Sequence, residues 1–296
     1  MKKDFFQGTI TAIVTPFTSK GAIDFTAFEK LIDFQIKSKV NAIVVAGTTG
    51  EGATLTIEEK KELIIRAVEY TAGRIGVIAS TGSNETFESL DLTTFAYENG
   101  ANAALIITPY YNKPTQGGMF EHYKMIADKV DFPQIIYNVP GRTGVNILPE
   151  TQIALAKACK NIVAVKEASG NLGQMMEIIK HSPEGFNVIS GDDALTLPAI
   201  ALGAKGCISV ISNYAPVEFG NMINLALKNK FKEAGEIHYR LLDLMNLNFI
   251  ESNPIPVKFI LSEMGYLKNI FRLPLVPLQA TNKTILKAAM KTAGII

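Results

Sequence analysis

The residue with the most chemical content is a lysine in an apolar setting. Lys166 closes the run Ile162-Val163-Ala164-Val165, where a solvated surface lysine is out of place. Burial disfavours an ammonium, and the free amine attacks carbonyl carbons, so residue type and setting together point to Schiff-base chemistry. A structural ion pair with the adjacent Glu167 or another carboxylate is the competing reading. Hydroxyls stand at the ends of other apolar runs: Thr48-Thr49 in Gly47-Thr48-Thr49-Gly50-Glu51-Gly52, Tyr110-Tyr111 after Thr108-Pro109, and Tyr137 before Asn138-Val139-Pro140-Gly141-Arg142-Thr143-Gly144. Tyrosine and threonine hydroxyls donate and accept, so they suit proton transfer to and from oxygen. Tyr137 also reads as a packed tyrosine with a satisfied hydroxyl, and Thr48-Thr49 as a plain turn. The glycines beside Thr48-Thr49 would let backbone N–H groups approach an anion. Arg142 offers a bidentate carboxylate clamp, or is a solvated loop arginine.

Other chemistries find little support. The three histidines, His122, His181 and His238, are far apart and fit no metal-ligand spacing. No G-x-S-x-G elbow is present. Gly47–Gly52 lacks the Lys-Ser/Thr ending of a phosphate loop. Asp192-Asp193 follow the seventh apolar run, where a phosphate-binding barrel would place its phosphate, and their charge opposes one. They suit the N-terminus of the next helix better.

These groups need a scaffold that brings strand ends together. Short β-branched runs alternate with longer amphipathic stretches. The runs are Thr9–Val14, Ala42–Ala46, Gly76–Ser80, Ala103–Thr108, Gln134–Asn138, Ile162–Lys166, Asn187–Ser190 and Cys207–Ile211. They are continuously apolar, as parallel strands buried on both faces are. The helical patterns cover Phe25–Ser38, Ile57–Thr71, Thr86–Asn99, Gln116–Val130, Glu150–Ala158, Leu172–Lys180, Ala194–Leu202 and Val217–Lys228. Asp24 is placed to cap the first, and Thr56 with Glu59 has capping-box spacing for the second. Gly73, Gly100 and Gly203 stand where helices should stop. Eight strand–helix units within the first ~230 residues predict an α/β fold, a (β/α)8 TIM barrel, over residues 1–230. An open doubly wound sheet is the alternative, but such sheets rarely reach eight parallel strands. Residues 231–296 read as about three helices in a C-terminal helical appendage, broken at Asn253-Pro254-Ile255-Pro256 and Leu273-Pro274-Leu275-Val276-Pro277.

Composition is that of a soluble globular protein. Of 296 residues, 47% are apolar and 19% charged, which argues against disorder. With Lys+Arg 29 against Asp+Glu 28, the net charge of +1 carries no nucleic-acid footprint. Cys159 and Cys207 are too few for a disulfide framework and read as small apolar fillers. No apolar run approaches the ~18 residues of a membrane span. Met1–Phe6 carries charge without a following signal-like apolar region, so a cytoplasmic location is expected.

The motifs Gly47-Thr48-Thr49-Gly50-Glu51, Tyr137-Asn138-Val139-Pro140 and Lys166-Glu167-Ala168 occur together with Asn253-Pro254-Ile255-Pro256-Val257-Lys258 and Arg272-Leu273-Pro274-Leu275. On these, the chain resembles the dihydrodipicolinate synthase family of pyruvate-dependent class I aldolases along essentially its whole length. Arg142, in Pro140-Gly141-Arg142-Thr143-Gly144, is similar to the synthase branch rather than to the sialic-acid and keto-deoxy sugar-acid aldolases of the same group, which are the alternative activity. The resemblance implies that Lys166 forms a Schiff base with pyruvate. It implies that Tyr137, Thr48 and Tyr111 relay protons, Tyr111 across a subunit interface. Thr49 would bind the pyruvate carboxylate and Arg142 that of L-aspartate-4-semialdehyde, while Gly191 and the backbone of Ile208 line the pyruvate pocket. A homotetramer built from two tight dimers is implied, with no metal or organic cofactor, because the iminium is the electron sink. A silent barrel that only binds a keto acid is disfavoured, since binding needs neither Lys166 nor Tyr137. In lysine-regulated relatives the end product binds a cleft matching Gly52, Ala53, Ile57, Lys60, Asn84, Glu88 and Tyr110. Ile57 and Lys60 depart from the histidines often found there, so feedback by L-lysine is expected to be weak or absent.

Overall fold

In the computed structural model, eight parallel strands close on themselves in chain order, with β1 pairing both β2 and β8. The structure describes residues 6–295, so the charged start at Met1–Phe5 lies outside the described residues. The chain begins β1 (Gly8–Ala12), α1 (Phe25–Lys37), β2 (Ala42–Val45), α2 (Ile57–Thr71), β3 (Gly76–Ser80) and α3 (Thr86–Glu98). It continues β4 (Ala103–Ile107), α4 (Gln116–Lys129), β5 (Gln134–Asn138), α5 (Pro140–Thr143), α6 (Pro149–Ala158) and β6 (Ile162–Glu167). The remainder is α7 (Leu172–His181), β7 (Asn187–Ser190), α8 (Thr196–Ala201), β8 (Gly206–Ser209), α9 (Pro216–Leu227), α10 (Phe231–Leu247), α11 (Ile255–Glu263) and α12 (Ala280–Thr292). This is the expected (β/α)8 barrel with C-terminal helices.

Each strand is apolar on both faces because it separates two cores. Ile10, Val44, Ile78, Leu105, Ile135, Ala164, Ile189 and Ile208 pack inside the barrel. Their sequence neighbours, such as Ile43, Val77, Ile106 and Val165, pack outward against the helices. Cys159 and Cys207 are buried in that outer layer. Local signals set the helix ends. Asp24 accepts the Ala27 N–H at 3.1 Å, and Thr56 and Glu59 exchange hydrogen bonds at 3.2 and 2.9 Å. Gly73, Gly100 and Gly203 follow α2, α3 and α8 with positive φ. The helices after residue 230 do not stand apart. Leu241, Leu244, Val257, Ile260, Leu286 and Met290 share one cluster with Phe17, Phe28 and Ile211 of the barrel. Among the described residues no helix is long and apolar enough to cross a membrane.

Two local differences from expectation have physical causes. β8 stops at Ser209 rather than Ile211, because the Asp193 carboxylate draws in the N–H groups of Val210 and Ile211, at 3.1 and 2.7 Å, and turns the chain. The short helix α5, which carries Arg142, has no apolar period of its own. Pro140 starts it, and Gly144 ends it at φ +73°.

Candidate active site

The C-terminal ends of the strands enclose a cavity of about 130 Å³. Its wall includes six of the expected residues: Thr48, Thr49, Tyr137, Arg142, Lys166 and Gly191. Lys166 and Tyr137 are register partners on β6 and β5, and both are 6% exposed. The Lys166 Nζ lies 4.1 Å from the centre of the Tyr137 ring. Gly191 belongs here for a steric reason. A Cβ at that position would sit 3.1 Å from Lys166 Cε and 2.6 Å from Ala168 Cβ, so the missing side chain makes room for the lysine stem.

Glu167 is not the partner of Lys166. Strand alternation sends the two to opposite faces, and the fully buried Glu167 accepts instead from Asn138 Nδ2 at 3.0 Å, Gln174 Nε2 at 2.9 Å and Gln152 Nε2 at 3.2 Å. Lys166 is therefore not ion-paired with Glu167.

The loop after β2 is also built differently from expectation. Positive φ falls on Ala46 (57°) and Glu51 (55°), not on the glycines. Gly52 is needed for close backbone packing, since a Cβ there would meet the Ala46 carbonyl oxygen at 2.1 Å. The loop closes on itself, with Glu51 N–H donating to Thr48 O and Gly52 N–H to Gly47 O. Those two N–H groups are thus spent within the loop rather than turned toward an anion. Thr49 is buried and its Oγ1 accepts from Asn253 Nδ2 at 2.9 Å, which leaves its hydroxyl hydrogen to donate.

Tyr111 and Ile208 are not in the cavity wall. Tyr111 is 89% exposed, at φ +71°. Ile208 is buried inside the barrel opposite Ile10. Asp192 lines the cavity and caps the turn before α8, accepting from Ala194 and Leu195 N–H. Asp193 does not serve the helix N-terminus. Burial pushes its carboxyl up to about 6, against the opposing pull of the Ile211 N–H, the Ser209 hydroxyl and the Val210 N–H.

Residues beyond 250 complete the site, and the sequence reading assigned them no part in it. Asn253 lines the cavity, and its carbonyl oxygen lies 3.4 Å from Arg142 Nη2. Lys258, fully buried, donates to Glu51 Oε1 at 2.5 Å and to the Thr15 carbonyl at 3.0 Å. Its ammonium also faces the rings of Phe17 and Phe271. Burial holds the Lys258 amine below the usual lysine range, and Glu51 opposes that shift. Arg272 donates its N–H to Glu51 and grips Glu59 of α2 with both terminal nitrogens. The sequence signals for these contacts were the Asn253–Lys258 and Arg272–Leu275 motifs themselves.

An aminated strand end, a tyrosine against it and a flanking arginine form a site for carbonyl capture. The family profile described as the Dihydrodipicolinate synthetase family matches residues 5–293. The chain belongs to this family. The 4-hydroxy-tetrahydrodipicolinate synthase of Aquifex aeolicus (strain VF5) is 50% identical over 286 residues, covering 97% of each chain. The crystal structure of dihydrodipicolinate synthase from Aquifex aeolicus superposes with a TM-score of 0.96 at 49% identity, covering 98% of this chain and 99% of that one. A second member of the dihydrodipicolinate synthetase family, from Cyanidioschyzon merolae with lysine bound, has a TM-score of 0.96 at 42% identity and covers 99% of both chains.

Proposed function

We propose that this chain catalyses the 4-hydroxy-tetrahydrodipicolinate synthase reaction, a lyase-class condensation of pyruvate with L-aspartate-4-semialdehyde in the diaminopimelate route to lysine. The observation that carries this reading is the single cavity gathering Lys166, Tyr137, Thr48, Thr49 and Arg142 in a chain whose relatives of that name match it end to end.

The Lys166 amine adds to the keto carbon of pyruvate, and the carbinolamine loses water to give an imine. Loss of a methyl proton converts the imine to an enamine, whose carbon attacks the aldehyde. The aldehyde oxygen takes up a proton and becomes the hydroxyl. The amino group of the new chain then adds to the imine carbon, closes the ring and expels Lys166 as the free amine. The protonated imine nitrogen is the electron sink, so the reaction needs no metal or organic cofactor.

In this reading Tyr137 and Thr48 carry protons to and from oxygen, and Thr49 donates to the pyruvate carboxylate. Arg142 pairs with the carboxylate of the aldehyde substrate, while Gly191 and the Ile208 backbone shape the pyruvate end. Tyr111 completes the relay from a neighbouring subunit, in keeping with its exposed side chain here and with a homotetramer working in the cytoplasm. Pyruvate with borohydride should leave a reduced adduct on Lys166, read by peptide mass spectrometry. Supplied with pyruvate and a panel of aldehydes, the enzyme should consume L-aspartate-4-semialdehyde. Full inactivation with Lys166 unmodified, or consumption of an amino-sugar aldehyde instead, would overturn the reading.

A further inference from the structure

The strand pair that carries Lys166 and Tyr137 is irregular at its base. Gln134 pairs with Ile162 and the next residue, Ile135, pairs with Ala164, so Val163 is an extra residue in β6. A bulge of this kind re-aims everything beyond it. Because side chains alternate with period two, a slip of one residue here would carry Lys166 from the barrel interior to the helix side. β7 pairs β6 without interruption from Ala164–Asn187 to Glu167–Ser190. It is therefore the β5 side of β6, where the bulge falls, that depends on contacts at the far end of the strand.

At that end the last rungs are Tyr137 with Lys166 and Asn138 with Glu167. The Asn138 Nδ2 sits 3.0 Å from each oxygen of the fully buried Glu167. Three further donors converge on the same carboxylate: Gln152 of α6, Gln174 of α7 and the backbone N–H of Ser169, at 3.2, 2.9 and 2.9 Å. All these partners are amide or peptide N–H groups. A methionine would fill such a space without the cost of desolvating a carboxylate. What the carboxylate adds is direction, since its two oxygens tie β5, α6, α7 and its own loop to one point.

We propose that Glu167 is a positioning residue that locks the β5–β6 register after the bulge and so holds the Lys166 amine against Tyr137 for capture of the keto acid. The inference rests on Lys166 being the nucleophile.

The test uses the full chain in four forms: unmodified, Glu167→Gln, Asn138→Ala and the exchange Asn138→Asp/Glu167→Gln. Initial rates of borohydride-trapped adduct formation on Lys166, kcat, pyruvate KM and thermal midpoint are measured for each. Misplacement on the order of 1 Å costs roughly 100-fold in rate while uniform binding survives, so Glu167→Gln should lose about 10- to 100-fold in trapping rate and kcat, with pyruvate KM within about threefold. The exchange swaps donor and acceptor across the same rung, and should recover at least about a third of the loss on a logarithmic scale. If Glu167→Gln does not fold, Asn138→Ala carries the same expectation: it removes the rung, together with the bonds of Asn138 to Asn146 Oδ1 and from the Ile147 N–H. Trapping by a folded variant at the unmodified rate overturns the proposal, and so does an exchange no faster than the single variant. If the unmodified chain forms no Lys166 adduct, the functional reading itself falls. If it does while the variants match it, only the positioning role falls.

Discussion

Around the ends of β5 and β6 the cavity wall is held by neutral amides close in sequence. Glu167 accepts from groups 2 to 29 residues away. After β2 the opposite wall is held by residues 204 to 221 positions away, through the Asn253–Thr49 bond, the Lys258–Glu51 ion pair and the Arg272 N–H on Glu51. One wall can assemble as its own strand pair forms. The other needs the C-terminal helices docked before its loop has a fixed shape. The barrel supplies Lys166, and the segments after residue 250 hold the loop facing it.

The largest effect is expected where the contrast is sharpest. Lys258→Met leaves the Glu51 carboxylate buried without its cation. Breaking one side of a buried pair costs roughly 3–5 kcal/mol, whereas replacing both sides is far milder. Lys258→Met should therefore lower the thermal midpoint much more than Glu51→Gln/Lys258→Met does. Equal falls for the single and double variants in calorimetry would mean that the two charges are not coupled, and the loop would not depend on them.

The same contrast explains how much was legible in the sequence. The eight strands, the Asp24 and Thr56–Glu59 caps and the placing of Lys166 and Tyr137 at strand ends all follow from patterns within some twenty residues. The bulge at Val163 was not legible, because Ile162–Val165 is apolar throughout and no polar residue marks the extra position. Nor was the role of Lys258. Its partner Glu51 lies 207 residues back, and no periodicity links them. Glu167 was visible only as an alternative partner for Lys166, which it is not, since adjacency in sequence says nothing about which side of a strand a charge faces. Asp193, read with Asp192 as a helix-end pair, went the same way: its carboxylate reaches 17 and 18 residues on, to the backbone of Val210 and Ile211.

A medium effect separates the two walls by substrate. Arg142 belongs to the amide-held wall, and Arg142→Ala should raise KM for the aldehyde about 10- to 100-fold with little change for pyruvate, the cost of a charge-assisted bond being ~1.5–3 kcal/mol. Asn253→Ala, on the other wall, removes a neutral bond to Thr49 and should raise KM for pyruvate by roughly 2- to 10-fold. Steady-state kinetics with each substrate varied decide both. If Arg142→Ala weakens both substrates equally, the arginine is structural, and the two walls do not divide the substrates between them.

The smallest effect is expected beyond the braced loop, at the positions that the family resemblance matches to a lysine cleft: Gly52, Ala53, Ile57, Lys60, Asn84, Glu88 and Tyr110. Here α2, anchored to Arg272 through Glu59, presents Lys60 beside Glu88. Burial holds the Lys60 amine below the usual lysine range, and the Glu88 carboxylate acts against that shift. A cation therefore already stands beside Glu88, which with Asn84 and Tyr110 would hold the ligand's amino and carboxylate groups. A second ammonium at ~5 Å, with an effective dielectric of ~20, meets repulsion on the order of 3 kcal/mol before salt screening. That is roughly two decades of affinity. Ile57 offers the ligand no hydrogen bond. Free L-lysine, bound in the structure of the Cyanidioschyzon merolae relative, should thus inhibit this enzyme weakly or not at all when titrated into the millimolar range at saturating pyruvate. A plain solvated position at Lys60 gives the same insensitivity, so the double variant Ile57→His/Lys60→His separates the two causes. If the Lys60 cation is what excludes the ligand, the double variant should gain inhibition while its turnover without lysine stays near that of the unmodified chain. Strong inhibition of the unmodified chain would show that the cleft tolerates both cations, and that Glu88 is not shared between them.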